Sequence, residues 1–195
     1  MRMTQSAAEP ASSYTRMAML LHWLVAVLMI ANIPLIWSSD FVPDDSVRPI
    51  VDTHKSIGIT VLGLAILRLM WRLANPPPPW PLSYKPWETR AAHAAHWVLY
   101  GLMFALPLSG WAHDSAWAAA PSHPMFLFGL FEWPRFGFLQ GLAPATQDWW
   151  HDMLGAVHAW FAYVLMAVLA LHILGALKHQ FIDHDRELQR MLPWG

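Results

Sequence analysis

Three stretches of this chain carry no charged side chain over a length that can cross a bilayer. They lie between Arg16 and Asp40, between Arg90 and Asp114, and between Asp152 and Lys178. Each exceeds the roughly 20 residues that span a hydrocarbon core. A fourth, Val51 to Leu73, is apolar from Ile57 to Leu67 but carries Lys55 near its start and Arg68 late. Three spans alone would strand this apolar helix, so it counts as the fourth. The expectation is one all-α integral membrane domain over 1–195, an antiparallel bundle with spans near 17–38, 51–73, 91–113 and 153–178. The polar first sixteen residues, and an apolar run that closes on Trp37-Ser38-Ser39-Asp40 without a small-x-small site, read as a retained anchor and not as a cleaved signal.

Basic residues orient the bundle. Arg2, Arg16, Arg68, Arg72, Lys85, Arg90, Lys178, Arg186 and Arg190 fall on one side, against Arg48, Lys55 and Arg135 on the other. Nine against three places both termini in the cytoplasm of a bacterial inner membrane protein. Asn75 to Pro79 makes a short polyproline connector on the inner face. The periplasmic loop, 114–152, is 39 residues long, and its apolar segment Met125 to Phe131 is too short to span and reads as an interfacial lid. Trp37, Trp71, Trp111, Trp149 and Trp150 near the span ends fit aromatic belts.

Composition narrows the chemistry. A net charge of -1, with 13 acidic and 12 basic side chains, leaves no field for nucleic acid. The absence of cysteine excludes disulfide scaffolds, thiolate zinc, cysteine-held iron–sulfur clusters and covalent haem. Eleven histidines remain to be explained.

Ionisable groups inside a membrane are functional candidates. His22, His96 and His172 each lie six residues from a charged inner boundary (Arg16, Arg90 and Lys178), or about 9 Å deep. At the other end His158 lies six residues from Asp152, and His54 sits near the start of its helix. His158 and His172, fourteen residues apart, share one helix face about 21 Å apart. That is too far for one metal ion and suited to two stacked haems, each with one histidine from this helix and one from another. The inner partner of His172 is then either His22 or His96. Gly58, Gly110 and Gly175 would let a porphyrin approach. Arg68, fourteen residues after His54, points the same way at inner depth and suits a haem propionate. His93 and His96 are candidates for propionate contacts or quinone hydrogen bonds. A histidine-lined transition-metal transporter would want clustered ligands and acidic residues within the spans, and the expected spans hold only Asp52, at the very edge of the second.

The chain resembles the bacterial cytochrome b561 family, dihaem membrane proteins related to the cytochrome subunits of nickel–iron hydrogenases. The likeness rests on Met19-Leu20-Leu21-His22-Trp23-Leu24, His54-Lys55-Ser56-Ile57-Gly58, and His93-Ala94-Ala95-His96 with Tyr100 and Leu106 to Trp111. It continues through His158, His172, Ala176 to Phe181 and Leu188 to Pro193. The resemblance implies two non-covalent b haems, with His22 and His172 on the cytoplasmic-side iron and His54 and His158 on the periplasmic-side iron. Members often carry an acid just after the first histidine of the last span. Here Ala159 stands there, and the His-acid pair is His151-Asp152. His151 would lie about 31 Å from His172, the whole hydrocarbon thickness, so His158 keeps the role.

The resemblance further implies electron exchange with ubiquinone or another quinone, in some relatives as superoxide:quinone oxidoreductases. Eight acids against three bases on the outer segments would repel superoxide, with Lys55 and Arg48 offsetting this locally. An alternative is a haem-bearing anchor subunit docking a dehydrogenase or hydrogenase on that acidic face. The expected partners are lipid, quinone and a redox protein.

Overall fold

The computed structural model describes residues 13–192 except 82 and 186. Arg2, Arg186 and Pro193, used above for the charge count and the tail motif, lie outside the described residues. Four long helices dominate: α1 (Arg16–Trp37), α2 (Asp44–Ala74), α3 (Pro86–Ser115) and, after a short α4 (Gly137–Gln140), α5 (Pro144–Phe181). All four are long and apolar enough to cross a membrane. A helix satisfies its backbone groups internally, as lipid requires.

Local chemistry sets their limits. The Thr15 hydroxyl accepts from Ala18 N at 3.3 Å and starts α1. Asp44 and Asp45 occupy the first turn of α2, where the helix dipole favours acids. The run Pro76 to Pro79 forbids its continuation past Asn75. Pro86 opens α3, and Glu88 accepts from Lys85 N at 2.9 Å. Pro144 opens α5 earlier than the expected Met153, so the helix of the fourth span starts well outside the apolar stretch and the outer connection is shorter than 114–152. Asp148, Trp149, Trp150 and Asp152 sit on its polar first turns.

The helices pack α1 on α2, α2 on α3, and α3 on α5. The core gathers Val25, Val61, Ala65, Tyr100 and Met103, with Leu28, Met29 and Phe104 against them. Meanwhile Val27, Leu67, Trp97, Trp160 and Leu171 face outward, more than half of each exposed. A water-soluble bundle would bury such side chains; a lipid-facing surface does not need to. Both ends of the described chain meet at one end of the bundle: Trp23 Nε1 donates to Met191 O at 2.8 Å and Tyr14 N to Arg190 O at 3.3 Å.

At the opposite end the connection after α3 folds into a cap. Its apolar segment turns back as a two-stranded hairpin, β1 (Phe126–Leu127) with β2 (Phe131–Glu132). Gly129 at φ 73° supplies the left-handed backbone of the turn. The Ser56 hydroxyl of α2 accepts from Phe128 N at 3.0 Å, and Trp111 Nε1 donates to Pro134 O at 2.8 Å. Arg135 fastens the middle, donating to Asp114 at 2.7 Å, Ala120 O at 2.7 Å and His123 O at 2.8 Å. The lid expected here is therefore pinned to α2 and α3.

Candidate functional site

Four histidines from three helices meet in two pairs. His22 of α1 faces His172 of α5 with ring centroids 6.3 Å apart, and His54 of α2 faces His158 of α5 at 6.1 Å. Two imidazole nitrogens about 2 Å from a shared metal stand about 4 Å apart, and their ring centroids about an ångström further out on each side. Both pairs match that spacing. His96 comes within 5.2 Å of His172, which is too close for a metal between the rings. The choice between His22 and His96, open from depth alone, thus has a geometric preference for His22.

The outer pair is braced from behind. His158 Nδ1 lies 3.0 Å from the Leu106 carbonyl and 3.1 Å from the Ser109 hydroxyl. A carbonyl only accepts, so Nδ1 carries the proton and Nε2 keeps its lone pair for a metal. His54 Nδ1 likewise donates to Asn32 O at 3.3 Å, while Asn32 Nδ2 donates back to His54 O at 3.2 Å. A Cβ on Gly110 would stand 3.0 Å from His158 Cε1, so glycine is what lets the ring turn toward His54. Gly58 and Gly175, by contrast, have no protein atom within 4 Å of an added Cβ.

A cavity of about 890 Å³ surrounds the outer pair, with Met29, Ile33, Gly58, Leu106 and Met166 among its walls. That is at the upper end of the size that cofactor pockets take, and its walls are mainly apolar, as a flat hydrophobic macrocycle requires. The residues present fit a haem held by two imidazoles.

Sequence reading missed a third pair. His113 of α3 and His151 of α5 stack at 4.0 Å, each Nδ1 bonded to the other's backbone carbonyl, at 2.9 and 3.1 Å. A Cβ on Gly155 would come 2.9 Å from His113, so this glycine admits the stack. Their nearly touching rings leave no room for a metal between them. They tie α3 to α5 and line the same cavity. Reciprocal side-chain to backbone bonds between distant residues leave no trace in spacing.

The outer bases are all paired, three cations on two carboxylates. Lys55 pairs with Asp114 at 2.5 Å, Arg135 with the other Asp114 oxygen at 2.7 Å, and Arg48 with Asp52 at 2.7 Å. At the other end His96 lies parallel to Trp80 with centroids 6.1 Å apart, and Trp80 also meets His93 at 5.2 Å. His93 Nδ1 donates to Thr89 O at 3.1 Å. Arg68 Nε donates to the Tyr100 hydroxyl at 3.1 Å.

The chain matches the sequence pattern of prokaryotic cytochrome b561 over residues 13–194. It belongs to the prokaryotic cytochrome b561 family. Among the relatives, cytochrome b561 homolog 2 of Escherichia coli K12 is 36% identical over 174 residues, covering 88% of this chain and 86% of that one. A Yersinia pestis protein named probable superoxide oxidase CybB is 32% identical over 181 residues, 89% of this chain and 92% of that one. Cytochrome b561 homolog 1 of E. coli K12 is 25% identical over 187 residues, or 92% and 97%. Membership makes this chain a multi-pass protein of the bacterial inner membrane, with b-type haem and a role in transmembrane electron transfer.

Proposed function

We propose that this protein carries single electrons across the membrane through two bis-histidine b haems and exchanges them with a quinone pool, ubiquinone or another. The carrying observation is the two histidine pairs at 6.3 and 6.1 Å, both using α5. Held between two imidazoles, haem would supply one-electron redox chemistry and no site for binding oxygen. His22 and His172 hold the cytoplasmic-side group, and His54 and His158 the periplasmic-side one. Asn32, Ser109 and the Leu106 carbonyl hold the outer imidazoles in one tautomer. Arg68 takes an inner propionate, and His93 and His96 with Trp80 offer hydrogen-bonding and stacking partners near the inner pair, for a propionate or a quinone ring. Both termini face the cytoplasm.

Superoxide is the specific electron donor to consider, because a relative sharing most of its length is named for its oxidation. As donor, superoxide would give up one electron and depart as oxygen, with quinone as the final acceptor, so a haem held by both His54 and His158 would need no open iron position to receive it. A reduced-minus-oxidised visible spectrum of purified protein tests the core of this reading. A b-type band at two haems per chain is expected, and a colourless preparation would overturn it.

A further inference from the structure

Arg68 and Arg72 stand one turn apart on α2, half-buried, with both guanidinium carbons over the same aromatic ring: 5.4 and 5.3 Å from the centroid of Tyr100. Tyr100 itself is only 7% exposed and belongs to the bundle core. Like charges at this helix spacing repel, and cations leaving water need a counter-charge. Yet among the described residues neither arginine lies within ion-pair distance of a carboxylate, while Arg48, Arg135, Lys55 and Lys178 all do. Tyr100 takes Nε of Arg68 and part of the charge through its ring, which leaves the terminal N–H groups of both forks for an anion.

The anion is identified by place and by number of charges. Arg68 is within electrostatic reach of His22 and His172, and both arginines are within reach of His96. Arg68 and Arg72 follow His54 by fourteen and eighteen residues, within about 40° of its helical phase, so they share the α2 face that carries His54, and with Tyr14, Trp71, Asn75 and Tyr100 they line a small pocket at the inner end. We propose that Arg68 and Arg72 form a two-cation seat, held in place by Tyr100, for both carboxylates of the inner haem. This rests on the dihaem reading and extends it from one arginine to a pair with a positioning tyrosine. Two planar forks match two carboxylates bidentately, which a lysine at either position would not do.

Resonance Raman spectra of the two-haem protein report the propionate bending mode directly, and transfer of haem to excess apomyoglobin reports retention. Arg72→Gln and Arg68→Gln are each expected to shift that mode for one haem and to speed its release about tenfold or more, the scale at which support around a metal group acts. Arg72→Lys, which keeps the charge and is the gentler change for folding, should recover retention only in part. The same shift should persist in His158→Ala, which retains the inner haem alone. Unmoved propionate bands in both glutamine variants of a two-haem protein would overturn the seat while leaving the dihaem reading intact. Equal acceleration of both haems would overturn it as general loosening. A band that instead follows headgroup charge, in nanodiscs of phosphatidylglycerol against phosphatidylcholine, would assign the arginines to lipid phosphate. A wild type without haem would overturn the parent reading and this one together.

Discussion

At the scale of single residues, the outer histidine pair separates ligation from support. His158 is the proposed ligand, and the Leu106 carbonyl and Ser109 hydroxyl fix its tautomer from behind. His158→Ala is therefore expected to lose one haem of two, read as half the pyridine haemochrome signal per chain. Ser109→Ala removes one of two braces, so both haems should remain, with the outer one leaving up to about tenfold faster in a haem-transfer assay. If Ser109→Ala lost a haem as completely as His158→Ala, the carbonyl would not be holding the ring. The proposed ligands were legible in the sequence because depth and helical phase are periodic, and His158 and His172 share a face by arithmetic. Their supports were not. Asn32, Ser109 and the His113–His151 stack bond across helices, 22 to 49 residues away in sequence, and nothing local marks such partners.

At the scale of helices, two glycines divide by what their missing Cβ would meet. Gly110→Ala pushes into His158 and should weaken the outer haem through its ligand. Gly58→Ala meets no protein atom, yet Gly58 lines the outer cavity. If that cavity holds the macrocycle, Gly58→Ala should shift the outer haem's absorption or retention despite the vacant surroundings. A Gly58→Ala protein with an unchanged spectrum and haem release rate would mean that the haem plane lies elsewhere. The end of α5 offers a pH test outside the membrane. Lys178 Nζ lies 2.6 Å from both Glu88 and Asp183, and hydrogen bonding to it holds the Asp183 carboxyl below its ordinary range. A depressed folded-state value means that Asp183 stabilises this end at neutral pH and above its ordinary value near 4, and loses that effect as pH falls through the lowered one. Hydrogen exchange of residues 178–185 should thus quicken below about pH 4, and Asp183→Asn should lessen that pH dependence, leaving the share of Glu88, whose carboxyl Lys178 also lowers. The four-helix plan was readable from charge-free runs, since lipid allows so few solutions. The start of α5 was not, because its first turns carry Asp148 and Asp152 and carry no apolar signal.

For the whole molecule, the balance of 13 acids and 12 bases conceals a polarity along the bundle axis. The proposed outer end carries eight acids against three bases, and the structure ties each of those bases to a carboxylate. Lys55 and Arg135 share Asp114, and Arg48 is held by Asp52, so none of the three is an unpaired cation at the cavity mouth. An anion diffusing toward this face meets a net negative field, and screening that field by salt should help it. If superoxide is the donor and quinone the acceptor, superoxide oxidation, followed by stopped flow with the acceptor saturating, is therefore expected to accelerate modestly as ionic strength rises. Lys55→Gln should slow it little at any salt, provided that Asp114 stays bound by Arg135. A rate that falls steeply with salt, or collapses in Lys55→Gln, would mean that Lys55 leaves Asp114 to receive the substrate. Capture would then depend on opening an ion pair that the closed cap keeps shut.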